Sequence, residues 1–171
     1  MRSTCRSLCL WLCLYFGAST GLAMIAPRCK SPYVRVRENY CYYVDHQTMH
    51  TSFSNFCYSD KRTSRVCLDS VEEMRALASY LYESGYHDGS QFWSAGNRWA
   101  GDLQFYWNYF GRARALNYTN WEPDQPTPTM GLNCMLLTLN RGELVMSSES
   151  CYTEAIDICE QLLSNEPLVI H

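Results

Sequence analysis

The stretch Arg65 to Gly85, RVCLDSVEEMRALASYLYESG, sets two elements end to end. RVCLD reads as a small buried strand. Ser70 and Glu73 then form an S-x-x-E capping box, in which each side chain answers an exposed backbone N–H of a helix's first turn. Val71, Met74, Leu77 and Leu81 recur at three- and four-residue spacing and make one apolar stripe. Gly85 supplies the stop. This helix is the strongest local pattern in the chain.

The patterns on either side of it differ. Upstream, CKSPYVRVRENYCYYVD (29–45) alternates, is rich in Val and Tyr, and reads as an extended hairpin bounded by Cys29 and Cys41. TMHTSFSNFCYS (48–59) places Met49, Phe53, Phe56 and Cys57 at helical spacing, which predicts a first short amphipathic helix. Downstream, QFWSAG, LQFYW, CMLLTL, ELVMS and AIDICE are short β-type runs separated by turns rich in Gly, Asn and Pro. Helices early and strands at both ends argue an α+β domain rather than a parallel βαβ sheet. EPDQPTPT (122–129) carries three prolines in eight residues, so it is neither a helix nor a central strand. It is expected to be an irregular surface loop, the kind of segment on which binding residues tend to sit.

The chain has 171 residues, the length of one domain. Residues 1–23 read as a secretory signal peptide. Arg2 and Arg6 come first, an apolar run from Leu8 to about Ala18 follows, and Gly21 and Ala23 stand where a cleavage site needs small residues. That run is about half of the roughly 20 apolar residues that span a bilayer, so no membrane span is expected and the mature chain, 24–171, is expected to be extracellular. Removing the two arginines takes the formal net charge from −3 to about −5. KRTSR (61–65) is the longest basic cluster left and reads as a solvated loop, so nucleic acid is not an expected partner.

Seven cysteines remain after residue 23: Cys29, Cys41, Cys57, Cys67, Cys134, Cys151 and Cys159. An oxidising compartment favours their pairing, and an odd number leaves at least one over. No C-x-x-C occurs and no close histidine pair matches a cysteine pair at finger spacing, so disulfides are a better reading than zinc.

Taken in order, these landmarks resemble the C-type lectin-like domain over about residues 29–161. CYYV follows a hairpin cysteine, and the first helical segment ends in Cys57. RVCLDSVEEM stands where the family has a small strand leading into its second helix, and FWSAGN resembles its Trp-Ile-Gly strand. FYW, YTNW, a proline loop, then Cys134, Cys151 and ICE with Cys159 complete the series. The chain looks most like the short, secreted, single-domain members known from insects. The resemblance implies two helices packed on small antiparallel sheets, with a long irregular ligand-binding loop. It also implies the pairs Cys57–Cys159 and Cys134–Cys151, with Cys29–Cys41 as the extra hairpin bond of the longer forms. Cys67 is then the odd cysteine. It is either a buried inert thiol in place of a small core residue or the link of a covalent dimer.

Sugar-binding members of that family hold calcium through a tripeptide with a central cis-proline, a Glu two residues before the next cysteine, and an Asn-Asp pair on a later strand. Calcium takes six to eight oxygens, and the charge of its ligands tunes affinity. The family spaces the tripeptide four residues after the Trp of its NW element. Counting from Trp121 reaches Gln125, Pro126 and Thr127, whereas Glu122-Pro123-Asp124 begins three positions early. The Glu position is Leu132, and the pair falls on Ser147 and Ser148. The five ligand positions, Gln125, Thr127, Leu132, Ser147 and Ser148, carry no carboxylate, so no metal ligand is assigned and calcium-dependent binding is not expected. Gln125 and Pro126 would imply a galactose-type preference if the site worked.

Other candidates yield to plainer readings. HQTMH puts His46 and His50 four residues apart, but a zinc hydrolase of the HExxH type needs a Glu where Gln47 stands. No triad is suggested and no catalytic residue is expected. Asn117-Tyr118-Thr119 is an N-glycosylation sequon. Trp93, Trp107 and Trp121 read as core, and Trp99 as the surface tryptophan. The chain is therefore expected to be a non-enzymatic, lectin-like binding protein. Its nominal ligand is a glycan or glycoprotein, held without calcium by a surface of the proline loop and Trp99. The alternative is a lectin-like scaffold that binds a protein partner.

Overall fold

The computed structural model describes residues 28–37, 40–98 and 102–163. The signal peptide assigned to 1–23 and Trp99 lie outside them.

Strands β1 (Val34–Arg37) and β2 (Tyr40–His50) form the hairpin that the Val/Tyr alternation predicts. A one-turn 3₁₀ helix, Phe56–Tyr58, and β3 (Thr63–Arg65) lead into the single α-helix of the described residues, α1 (Val71–Glu83). Then come β4 (Gln91–Asn97), β5 (Tyr106–Tyr109), β6 (Arg112–Ala115), β7 (Cys134–Asn140), β8 (Glu143–Glu149) and β9 (Ala155–Gln161). The sheet runs β1-β2-β9-β4-β5-β6, with β3 also on β9 and β7 joining β4 to β8. One pair, β4 with β9, is parallel, and every other strand pair is antiparallel. The result is the small α+β domain that the alternation of elements implies.

Four expectations need correction. KRTSR is not a solvated loop, since Thr63, Ser64 and Arg65 form β3 and are buried against β9. The first helix over 48–59 is absent. β2 instead runs on to His50, because Met49 and His50 find strand partners in Ile156 and Ala155 of β9. Consequently His46 and His50 stand on a strand, each with its own aromatic neighbour: His46 stacks on Tyr86 and His50 on Phe56. RVCLD is buried as expected, but strand pairing covers only its first residue, Arg65. The capping box closes on one side only. Ser70 Oγ accepts the Glu73 N–H at 3.1 Å, whereas the Glu73 carboxylate takes the Asp69 N–H (3.0 Å) and the Tyr42 hydroxyl (2.7 Å). At the other end Gly85, at φ +91°, makes a Schellman cap, with Tyr86 N–H bonding Leu81 C=O and Gly85 N–H bonding Tyr82 C=O.

Met74, Leu77, Ala78 and Leu81 of α1 enter a core with Tyr42, Val44, Phe92, Trp107 and the inner residues of β7 and β8. Val71, counted in the apolar stripe, is only half-buried. A Cβ on Gly96 would lie 2.6 Å from Met135 Sδ and 2.7 Å from its Cβ, so this strand position is closed to any side chain. Three disulfides hold the frame: Cys29–Cys41, Cys57–Cys159 and Cys134–Cys151. These are the pairs the resemblance implies. Cys67 is free and only 3 % exposed, and burial pushes its thiol well above the usual range. Its burial fits the inert thiol of the two readings.

Carboxylates gather behind α1. Glu160 of β9 is partly buried and accepts from Cys67 N–H (3.1 Å) and Ser64 Oγ (3.3 Å). Burial, with the Glu73 charge adding to it, pushes Glu160 up to about 8, and burial raises Glu73 as well. The folded state thus holds these protons more tightly than the unfolded chain. For Glu160 the contribution is complete below about pH 4.5, declines as pH rises, and is lost above about pH 8. For Glu160, allowing for its partial exposure, this amounts to ~2–4 kcal/mol. Glu160→Gln should therefore flatten the fall in Tm between pH 5 and 9. An unchanged slope in the variant would contradict this account.

Candidate functional site

The proline-rich loop is laid along β8. Met146 N–H donates to Asn120 C=O (2.7 Å), Glu122 N–H to Met146 C=O (2.9 Å), and the Asn120 side-chain amide to Leu144 C=O (2.7 Å). Trp121 and Met146 form an isolated parallel bridge. The loop thus behaves as a short extra strand before it turns away.

That turn is built by Glu122-Pro123-Asp124-Gln125. Gln125 N–H closes on Glu122 C=O at 3.1 Å, Pro123 occupies the second position, and Asp124 takes φ +63° at the third. A proline followed by a positive φ is the requirement of a type II turn. The tripeptide that superficially matches a calcium motif is here a turn. The cis peptide of the loop lies one step on, at Gln125–Pro126.

Gln125 and Thr127 meet Ser148 directly. Gln125 Oε1 accepts from Ser148 Oγ (2.6 Å), Ser148 N–H (3.0 Å) and Thr127 N–H (3.2 Å), and Thr127 N–H also reaches Ser148 Oγ (3.1 Å). An amide oxygen has two lone pairs, so three donors leave Gln125 no lone pair for a cation. Ser147 is next to Ser148 on an alternating strand and faces the other side, half-buried opposite Leu136. Leu132, also half-buried, has no oxygen to give. The five positions do not fit calcium: they lack a carboxylate, and three of them, Gln125, Thr127 and Ser148, are already joined by hydrogen bonds. No cluster of three His, Cys, Asp or Glu suited to a metal occurs among the described residues.

One residue that positions this loop carries no signal in the sequence. Arg98, buried at the end of β4, donates through Nη2 to Thr129 C=O (2.8 Å) and through Nε to Asn133 Oδ1 (3.4 Å). Its guanidinium lies over Phe105, whose ring packs on Trp121 at 5.2 Å. An arginine after a strand glycine has no distinctive spacing, and only the loop's approach reveals its part. Trp93 and Trp107 are fully buried as expected and hydrogen-bond His50 C=O and Asp69. Trp121 is half-buried, and Asn117 is exposed on the segment leading into the loop.

Comparison with known proteins places the fold. No protein-family model matches the chain, and no curated protein matches it in sequence. Many solved structures do match in shape. Human lithostathine superposes with a TM-score of 0.68 at 21% identity, covering 85% of this chain and 99% of that one. The C-type lectin CEL-I from Cucumaria echinata gives 0.66 at 16% identity, covering 80% and 99%. A calcium-independent type II antifreeze protein gives 0.62 at 21% identity, covering 81% and 97%. The chain has the C-type lectin-like fold. Its neighbours are lectin-like binding proteins rather than enzymes, and calcium-independent members are among them. No helix of the described residues is long and apolar enough to cross a membrane.

Proposed function

We propose that this chain is a secreted, non-enzymatic recognition protein that binds a glycan or glycoprotein without calcium. The observation that carries the reading is the closure of the loop: Gln125 Oε1 is spent on Ser148 and Thr127, where a cation would need it. The ligand face on this reading is the loop around Gln125, Pro126 and Thr127 with the β8 residues Ser147 and Ser148. Since Gln125 is engaged, no galactose preference follows from it. Secretion draws on the signal-like residues 1–23 and on three intramolecular disulfides, which persist in oxidising compartments. The lectin-like domain lies within the remaining residues, 24–171. The exposure of Asn117 suits glycan attachment there.

The protein-binding alternative draws on Met130, which the loop leaves 84% exposed. The experiment is a melting curve with calcium and with chelator, together with retention on immobilised galactose- and mannose-type sugars. We expect an unchanged Tm and a retention that chelator does not reverse. Chelator-reversible retention would overturn calcium independence, and no retention on any sugar would favour the protein partner.

A further inference from the structure

A second feature shares no residue with the proline loop. The segment Ser52–Asn55 and the facing parts of β4 and β5 line a half-open pocket of about 190 Å³. Its wall is amide and hydroxyl rather than hydrocarbon. Asn55, Asn97 and Asn108 line it, and none of the three side chains hydrogen-bonds a described residue. Each primary amide offers two donors and one acceptor oxygen. The only charged lining residue is Arg65, whose five N–H donors are taken up by Asp157, Ser52 C=O and Oγ, Thr51 C=O and Ser54 C=O. The pocket therefore asks for a neutral guest that both donates and accepts.

An aromatic platform stands at its rim. Phe53, a lining residue, is 61% exposed, and its ring tilts against Tyr152, 77% exposed, at 5.0 Å between centroids. Ser52 N–H to Cys151 C=O (3.0 Å) ties the two loops that carry them. Single exposed apolar residues need no explanation, but two touching rings beside an unfilled set of amides are a different arrangement. The segment is also held in place beforehand, since Arg65 fixes the carbonyls of Ser52 and Ser54 and of Thr51 just before it, and a preformed site loses less entropy on binding. A molecule with hydroxyls around its edge and a C–H face to lay on a ring satisfies both halves.

We propose that this pocket is a calcium-independent subsite for one neutral pyranose residue, with its hydroxyls on Asn55, Asn97 and Asn108 and its apolar face on Phe53. The room suits a single ring, so a longer glycan would leave across Tyr152. The site stands apart from the loop of Gln125, and either can fail without the other.

The test follows the side-chain NH₂ resonances of the secreted, disulfide-bonded chain in chelator. Methyl β-galactoside, methyl α-mannoside and N-acetylglucosamine are the probes. At least one sugar should shift the resonances of Asn55, Asn97 and Asn108 together, with Kd on the order of 1–10 mM. Phe53→Ser, at an exposed position, should weaken that response about tenfold or more, and Asn55→Ala should weaken it as well. Unmoved Asn resonances with all three sugars would overturn the proposal in the native protein alone. So would a response that Phe53→Ser leaves intact, or shifts confined to the Gln125 loop.

Discussion

Replacing both Cys57 and Cys159 by alanine should lower stability by about 4–5 kcal/mol, the largest loss expected from any one of the three disulfides. The bond closes a loop of sequence separation 102. In the chain-entropy model, the cost of leaving such a loop open in the unfolded state grows with its length. Cys29–Cys41 and Cys134–Cys151 close separations of only 12 and 17, for which the same model gives about 3 kcal/mol. A domain of this size is stable by ~5–15 kcal/mol in all, so the long bond supplies a large share. It also joins the 3₁₀ turn to β9, and both sulfurs are buried. Urea unfolding checks this: the midpoint should drop and the m-value rise, since the uncrosslinked chain exposes more surface. If the Cys29→Ala, Cys41→Ala protein lost as much, loop length would not be what sets the order.

What the sequence disclosed depended on how local each cause is. The helix over 71–83 is legible because its stripe lies within it and its cap, Ser70, and stop, Gly85, lie within two residues of its ends. The 48–59 segment was misread for the opposite reason. Its apolar spacing is helical, but β9 recruits Met49 and His50 into the sheet, and Arg65 claims the carbonyls that a helix would have used. Strand β6, RARA, gives little signal because its alternating apolar residue is only alanine, with no large or β-branched side chain to mark a buried face. It exists through its hairpin with β5, whose two turn residues, Phe110 and Gly111, both take positive φ. That turn type usually announces itself with Asn or Asp, and Phe gives no such notice.

The candidate site divides in the same way. Spacing from Trp121 directed attention to Gln125 rather than Glu122, and the hydrogen bonds of Gln125 to Ser148 lie at that position. Loss of the carboxylates could be counted from the letters alone. That Gln125 and Ser148 would close on each other could not, since they lie 23 residues apart and meet only through the pairing of the loop with β8. Nor could the pocket by Phe53 be seen, because it is assembled from a loop expected to be helical and from two strands.

Arg65→Met should cost ~3–5 kcal/mol, although methionine fills a similar volume. Arg65 and Asp157 are 4 % and 0 % exposed at their side chains, with Nε to Oδ1 at 2.6 Å. Burying the pair is expensive in itself, but removing one partner leaves a bare carboxylate in the core, which costs more. Asp157 Oδ2 already has no partner among the described residues, so nothing nearby can take up the charge. The carbonyls of Thr51, Ser52 and Ser54 lose their donors in the same step. Arg65→Met with Asp157→Leu should then recover much of the loss, because the double variant has no buried charge to satisfy. Thermal melts of the two single variants and the double variant give the coupling directly. A loss under about 1 kcal/mol in Arg65→Met, or a double variant as unstable as the sum of the singles, would contradict the pair's role. The double variant also separates stability from recognition. It should fold, yet its 51–55 segment would have no guanidinium to hold it, so a sugar response at Asn55 and Phe53 should fade while the melting temperature is largely restored.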